Sequence, residues 1–152
     1  LRDLDFHAAA LRYREERLVQ TAAQRMQKRM AAGLDGHRAA LEVQEHLLAL
    51  GNAHVERIVF DAFSAGVRAC EDEALRSWLG RLCSLYALSR LAADMAWFVE
   101  DGYVDSWKAR AIRRQVELLC AELRGGAVEL VDSFGIPDAC LAAPIAFGEA
   151  LT

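Results

Sequence analysis

Leu47-Leu48-Ala49-Leu50-Gly51-Asn52-Ala53-His54-Val55-Glu56-Arg57-Ile58-Val59-Phe60-Asp61-Ala62-Phe63-Ser64-Ala65-Gly66-Val67 decides how this chain folds. Leu41, Gln44, Leu48, Gly51, Val55, Ile58, Ala62, Ala65 and Ala69 recur at the helical period. They predict one face of a helix from about His37 to Cys70. Gly51, Ala62, Ala65 and Ala69 are small enough to let a second helix come close. A second row, Val43, Leu47, Leu50 and His54, continued by Phe60, Phe63 and Val67, makes this helix apolar on more than one side. It therefore takes either a central position in a bundle or a second packing surface. Asp35 can cap its start.

Working outward from this helix, the neighbouring segments are also helical. Toward the N-terminus, Leu4, Leu11 and Leu18 recur at seven, with Ala8, Glu15 and Ala22 between them and Val19, Met26 and Met30 beyond. This predicts an amphipathic helix from about Asp3 or Asp5 to Gly33. Its middle, Arg12-Tyr13-Arg14-Glu15-Glu16-Arg17, reads as an exposed charged face held by i,i+3 and i,i+4 pairs. Asp72 can cap a third helix over residues 73–100. Its faces hold Leu75, Leu79, Leu82, Tyr86, Ser89, Ala93 and Trp97, widened by Trp78, Leu85, Leu88, Leu91 and Phe98. Gly102 ends it. Asp105 or Ser106 caps a fourth, over residues 106–133, whose inner face is Ile112, Val116, Leu119 and Leu123. Gly125-Gly126 predicts a kink or a brief interruption.

Gly135 and Pro137 then stop the helix. The tail from 134 to 152 stays apolar (Ile136, Leu141, Pro144, Ile145, Phe147), which implies a surface for it to lie on. The expected fold is one all-α domain over residues 1–152. It is an antiparallel four-helix bundle with an apolar C-terminal tail after the Gly/Pro stop.

Composition narrows the function. Hydrophobic residues make up 54%, enough for a real core in 152 residues, and Gly and Pro are sparse. The net charge of −4 and a sequence pI near 5.6 argue against a nucleic-acid partner. The basic run Arg25, Lys28, Arg29 reads as a solvated face. No apolar run reaches the roughly 18 residues of a membrane span. Cys70, Cys83, Cys120 and Cys140 have no C-x-x-C spacing and read as buried reduced thiols of a cytosolic protein. The start at Leu1 suggests a fragment, a processed chain or a trimmed one.

Self-contained chemistry is not legible. A di-iron bundle needs Glu-x-x-His pairs. The residues three before His7, His37, His46 and His54 are Leu4, Leu34, Val43 and Gly51, so no metal is expected. Glu42 and His46 share a face but do not make a site. His54 reads as a hydrogen-bonded core histidine. No serine has a G-x-S-x-G context, and Gly125-Gly126 lacks the lysine of a phosphate loop. The carboxylate pairs, including Glu100-Asp101, lie at helix surfaces and ends. The residues by themselves describe a binding or scaffolding bundle.

Four stretches together resemble the C-terminal helical domain of acyl-coenzyme A oxidases. They are Gln44 to Leu50 with His54 to Arg57; Leu82 to Tyr103, including Asp94-Met95-Ala96-Trp97-Phe98-Val99-Glu100-Asp101-Gly102-Tyr103; Ala111 to Arg113 with Leu119 to Arg124; and Leu130 to Ile145. The resemblance implies an FAD enzyme that converts acyl-CoA to trans-2-enoyl-CoA in fatty acid β-oxidation. In that family the flavin and the catalytic glutamate belong mainly to preceding domains, and no position here receives a catalytic role. This chain would then cover an acyl-CoA dehydrogenase-like core of the same protein, complete the acyl cavity and support a homodimer. Trp97, Phe98, Glu100, Tyr103, Phe134 and Ile136 are the candidates for the cavity wall or the interface. For Glu100 and Asp101 the plainer expectation is a helix end packed by aromatics, with both acids in water. Alanine- and arginine-rich composition and the absent Ser-Lys-Leu terminus suggest a bacterial cytoplasmic member. The alternative is a free-standing dimerisation or acyl-binding bundle.

Overall fold

The computed structural model describes residues 1–137 and Cys140, and among these every regular segment is helical. The helices are α1 (Leu4–Ala31), α2 (Gly36–Glu42), α3 (Gln44–Ala69), α4 (Glu73–Ala93), α5 (Met95–Glu100), α6 (Ser106–Leu123) and α7 (Ala127–Asp132). A 3-10 turn, Arg124–Gly126, joins the last two, at the glycine pair where a break is expected.

Aspartates start four of these helices for one physical reason. The first turn leaves backbone N–H groups unpaired, and a short carboxylate outside the helix accepts from them. The Asp3 side chain accepts from the N–H of Asp5, Asp35 from Arg38, Asp72 from Leu75 and Asp105 from Lys108. Gly33, Gly102 and Gly135 take positive φ beyond helix ends.

The four expected helices correspond to α1, α2 with α3, α4 with α5, and α6 with α7. Two of them are interrupted where a continuous helix is expected. At Val43 (φ −112°, ψ 12°) and Asp94 (φ −103°, ψ 22°) the backbone leaves helical geometry for one residue. The hydrogen-bond ladder resumes at once, Val43 O accepting from Leu47 and Asp94 O from Phe98. Both breaks fall at tertiary contacts: Val43 is buried, and Asp94 pairs with Arg14.

Paired residues give the helix directions. Thr21 meets His46, Arg14 meets Glu56 and Asp5 meets Arg68, so α1 and α3 are antiparallel. Tyr86 on α4 reaches the Glu56 carbonyl, and Val67 lies against Gly80, so α3 and α4 are antiparallel too. α6 packs on α4. One core cluster joins Ala10, Leu88, Leu91, Phe98, Ile112 and Leu119 across α1, α4, α5 and α6. A second joins Leu11, Phe60, Val67, Cys83 and Ala87 across α1, α3 and α4. The expected inner face of the fourth helix holds: Ile112, Leu119 and Leu123 are buried and Val116 packs against them.

Three expectations fail. The clearest stripe of the second expected helix faces outward. Leu48, Val55 and Ile58 are 67, 58 and 47% exposed, while Ala53, Phe60, Ser64 and Val67 of the opposite side are buried. The charged middle of α1 is exposed only in part: Arg12 and Glu16 face water, but Arg14 is buried and Glu15 nearly so. His54 is exposed, though hydrogen-bonded, its Nδ1 2.6 Å from a Glu15 carboxylate oxygen. Each failure has one cause. Glu56 and Arg57 turn inward to meet Arg14 and Glu15, and the apolar row is carried to the outside.

The cysteines differ from one another. Cys83 is buried, and burial pushes its thiol up to about 11. Cys70 is half-buried, while Cys120 and Cys140 are exposed, so buried thiols describe one of the four. Among the described residues no helix is long and apolar enough to cross a membrane.

Candidate functional site

The aromatic candidates gather where α5 ends. Gly102 (φ +75°) lets the chain fold back over the helix end, and the N–H groups of Tyr103 and Val104 donate to the Phe98 carbonyl at 3.0 and 3.2 Å. This wrap satisfies carbonyls the helix would leave open and brings Tyr103 beside Phe98, ring centroids 5.8 Å apart. Trp97 meets Phe98 edge to face at 5.1 Å. Tyr13 of α1 completes the group, stacked on Tyr103 at 4.3 Å and edge-on to Trp97 at 6.2 Å.

A polar clasp closes one side. Tyr13 donates its hydroxyl to Asp101 at 2.6 Å, and the Arg17 guanidinium donates to the same carboxylate at 3.1 Å. The Tyr13 hydroxyl bond first, and then Arg17, hold the Asp101 carboxyl below its ordinary value; partial burial opposes them. Asp101 therefore does not stand free in water, whereas Glu100 is exposed. Of the candidates, Phe98 is wholly buried and belongs to the core, Trp97 and Tyr103 are half-buried, and Phe134 and Ile136 are 70 and 61% exposed. The structure brings Trp97, Phe98 and Tyr103 together; Phe134 and Ile136 lie apart, beyond α7.

Tyr13 and Arg17 were not legible as members of this group. The available signal was Arg14. It falls in the row His7, Ala10, Leu11, Arg14, Leu18, all buried, and so fixes which way α1 turns. Arg14 donates to Glu56 and pairs with Asp94, both at 2.8 Å. Beside it Glu15 holds Arg57 and His54. Burial raises the Glu15 carboxyl, but the bonds from Arg57 and His54 outweigh burial and leave it lowered.

A separate groove of about 330 Å³ lies between the start of α4 and α7, lined by Leu75, Trp78, Leu79, Gly126, Glu129, Leu130 and Ser133. Gly126 sits tightly there: a Cβ would stand 3.1 Å from the Trp78 ring, which would have to shift by a few tenths of an ångström. The groove is apolar and continuous in sequence with Phe134. The expected return of the tail through Leu141, Pro144 and Ile145 lies outside the described residues. Among the described residues no three His, Cys, Asp or Glu side chains converge as a metal site.

Residues 3–148 match the acyl-CoA oxidase family. The chain belongs to this family. It is 39% identical over 146 residues to the peroxisomal acyl-coenzyme A oxidase 2 of Arabidopsis thaliana, covering 96% of this chain and 21% of that protein. It is 30% identical over 138 residues to the peroxisomal acyl-coenzyme A oxidase 2 of Rattus norvegicus, covering 90 and 20%. In structure it is similar to acyl-CoA oxidase 3 of Yarrowia lipolytica, with a TM-score of 0.83 at 21% identity over 95% of this chain and 21% of that one. It is also similar to acyl-CoA oxidase-1 of Caenorhabditis elegans, solved with FAD and ATP, with a TM-score of 0.84 at 21% identity over 90 and 21%.

The chain thus spans about a fifth of the length of these relatives. Their names overturn the expectation of a bacterial cytoplasmic member, because they are peroxisomal oxidases of eukaryotes. The composition misled because alanine and arginine are strong helix formers in any organism. The last residues of this chain need not be a protein's own terminus, so the missing address carried no weight.

Proposed function

We propose that this chain is the non-catalytic C-terminal helical domain of an FAD-dependent acyl-CoA oxidase. One observation carries the reading: the family match runs over nearly the whole chain, yet accounts for a fifth of its relatives. The half-buried carboxylates accord with it: Glu15, Glu56, Asp94 and Asp101 are each engaged in ion pairs that hold helices together. FAD is assigned to the remainder of the polypeptide, as is the conversion of acyl-CoA to trans-2-enoyl-CoA. Homodimer formation and docking on an acyl-CoA dehydrogenase-like core are the partner roles proposed. Phe134 and Ile136, exposed and apolar, are the candidates to touch that core or the acyl chain. Trp97, Tyr103 and Glu100 mark a second edge, with Phe98 as its buried support. The names of the relatives suggest a peroxisomal location.

The test is turnover by the complete polypeptide that contains this sequence. It is expected to carry flavin and to convert long-chain acyl-CoA to the enoyl product with peroxide formed from dioxygen. The isolated chain is expected to be inert with added FAD. A complete polypeptide that holds no flavin and leaves acyl-CoA unchanged sinks the reading. The alternative, an acyl-binding bundle, has the groove at Trp78 in its favour. Heat released on titrating the isolated chain with a long-chain acyl-CoA, together with loss of that heat in Trp78→Ala, would support the alternative.

A further inference from the structure

The outer face of α3 carries no charge. Leu48, Val55, Ile58 and Val59 on it are 67, 58, 47 and 43% exposed. Farther along the same face the residues are small, Ala62, Ala65 and Gly66, all exposed. At 100° per residue this uncharged sector covers roughly 140° of the helix, wider than the apolar stripe of an ordinary amphipathic helix. The charged residues lie off it. Glu56, Arg57 and Arg68 turn to α1, where they meet Arg14, Glu15 and Asp5. Helix α3 thus buries a face studded with ion pairs and exposes its more apolar one. A domain that ended here would gain by the opposite arrangement.

We propose that this face is the seat of an apolar helix from the remainder of the same polypeptide. The inference rests on the reading of the chain as one domain of a longer acyl-CoA oxidase. The matched relatives are about five times longer than the part this chain covers, so most of such a polypeptide lies outside it. The area points to a tethered occupant in preference to a second copy. The 26 residues of α3 make a strip about 39 Å long and about 10 Å wide, or about 400 Å². A stable free interface needs about 800 Å² per partner. A strip of half that size holds a segment joined to it covalently, because the link raises the effective concentration. The gradient along the face specifies the occupant's shape. Its bulky side chains oppose Ala62, Ala65 and Gly66, where its backbone comes closest, and its smaller ones oppose Leu48 and Val55.

The test uses cysteines placed one at a time, Val55→Cys and Ala62→Cys, in the complete polypeptide, with maleimide labelling read by peptide mass spectrometry. The expected result is loss of labelling at both positions in the native protein and full labelling after unfolding. Labelling of the native protein as complete as that of the unfolded one overturns the inference. The double variant, Val55→Cys with Ala62→Cys, addresses a second copy. In a two-fold antiparallel pairing centred between Ile58 and Val59, position 55 faces position 62 of the other copy. Oxidation to a covalent dimer at these positions would overturn the assignment to the same polypeptide; a monomer on a non-reducing gel upholds it. Flavin content of the unsubstituted protein is measured in parallel. Bound flavin with freely reactive cysteines defeats the docking alone. Absent flavin with protected cysteines defeats the oxidase reading and leaves the docking standing.

Discussion

Arg14 has two carboxylate partners and little water. Its side chain is 7% exposed, and Glu56 and Asp94 both lie 2.8 Å away. Removing it takes the shared cation from two half-buried acids, with Arg90 left 3.7 Å from Glu56, and breaking such a pair costs more than the pair itself contributes. Arg14→Ala is expected to lower unfolding stability by about 3 kcal/mol in urea titration. Arg17→Ala, at a half-exposed clasp, is expected to cost under about 1 kcal/mol.

The acid side of the stability curve has two causes. Burial first, despite the Leu1 carbonyl that Nε2–H donates to, holds His7 below its ordinary 6.5. Burial and then Arg25 lower His46 in the same way. A group whose folded pKa is depressed in this way takes its proton more readily when unfolded. Stability is therefore complete above pH 6.5 and falls as the pH drops below it. Glu15 and Asp101, held below 4.5 and 3.8, add a second loss that begins as the pH reaches those values and continues below them. Urea midpoints measured from pH 8 to 3 are expected to fall in these two stages, and His7→Gln is expected to flatten the first.

Among the elements, the end of α5 is the most constrained. Its wrap depends on a positive φ that only glycine adopts without strain, and Gly102 holds φ +75° with open space around the missing Cβ. Gly102→Ala is therefore expected to cost about 1–2 kcal/mol through backbone strain and not through a clash. Denaturant melts followed by near-ultraviolet circular dichroism, which reports the packed Tyr13, Trp97 and Tyr103 rings, would reveal it. An unchanged melt would mean the wrap is not held by Gly102. The breaks at Val43 and Asp94 belong to the same scale. A helix propensity sum passes over both, since neither is Gly or Pro. Each break coincides with a tertiary contact of its side chain, Val43 in the core and Asp94 at Arg14.

At the scale of the whole molecule, the apolar side chains exposed among the described residues include those on the outer face of α3 and those beyond α7, Phe134 and Ile136. Phe134→Ser with Ile136→Ser is expected to change the stability of the isolated chain by no more than about 0.5 kcal/mol, because both side chains already face water. In the complete polypeptide the same pair is expected to lower the melting temperature or weaken association. An unchanged complete polypeptide in light scattering and melting would show these positions to be idle. The helical segments, the caps at Asp35, Asp72 and Asp105, the interruption at Gly125-Gly126 and the stop at Gly135 were legible in the chain. They are local, set by which backbone groups lack partners and which residues tolerate the required φ. Periodicity also found both faces of α3, but it could not say which would be buried. That choice needed α1 and α4 in place, because Arg14 and Glu15 draw Glu56 and Arg57 inward only when the helices lie antiparallel at that register. The aromatic group depended on it too: Tyr13 lies 84 residues before Trp97 and 90 before Tyr103, and no spacing rule reaches that far. The sequence by itself determined which segments are helical, which glycines break or stop them, and which faces are apolar. Only the tertiary structure decided which faces meet, because an ion pair between helices is a property of two surfaces and cannot be read from either alone.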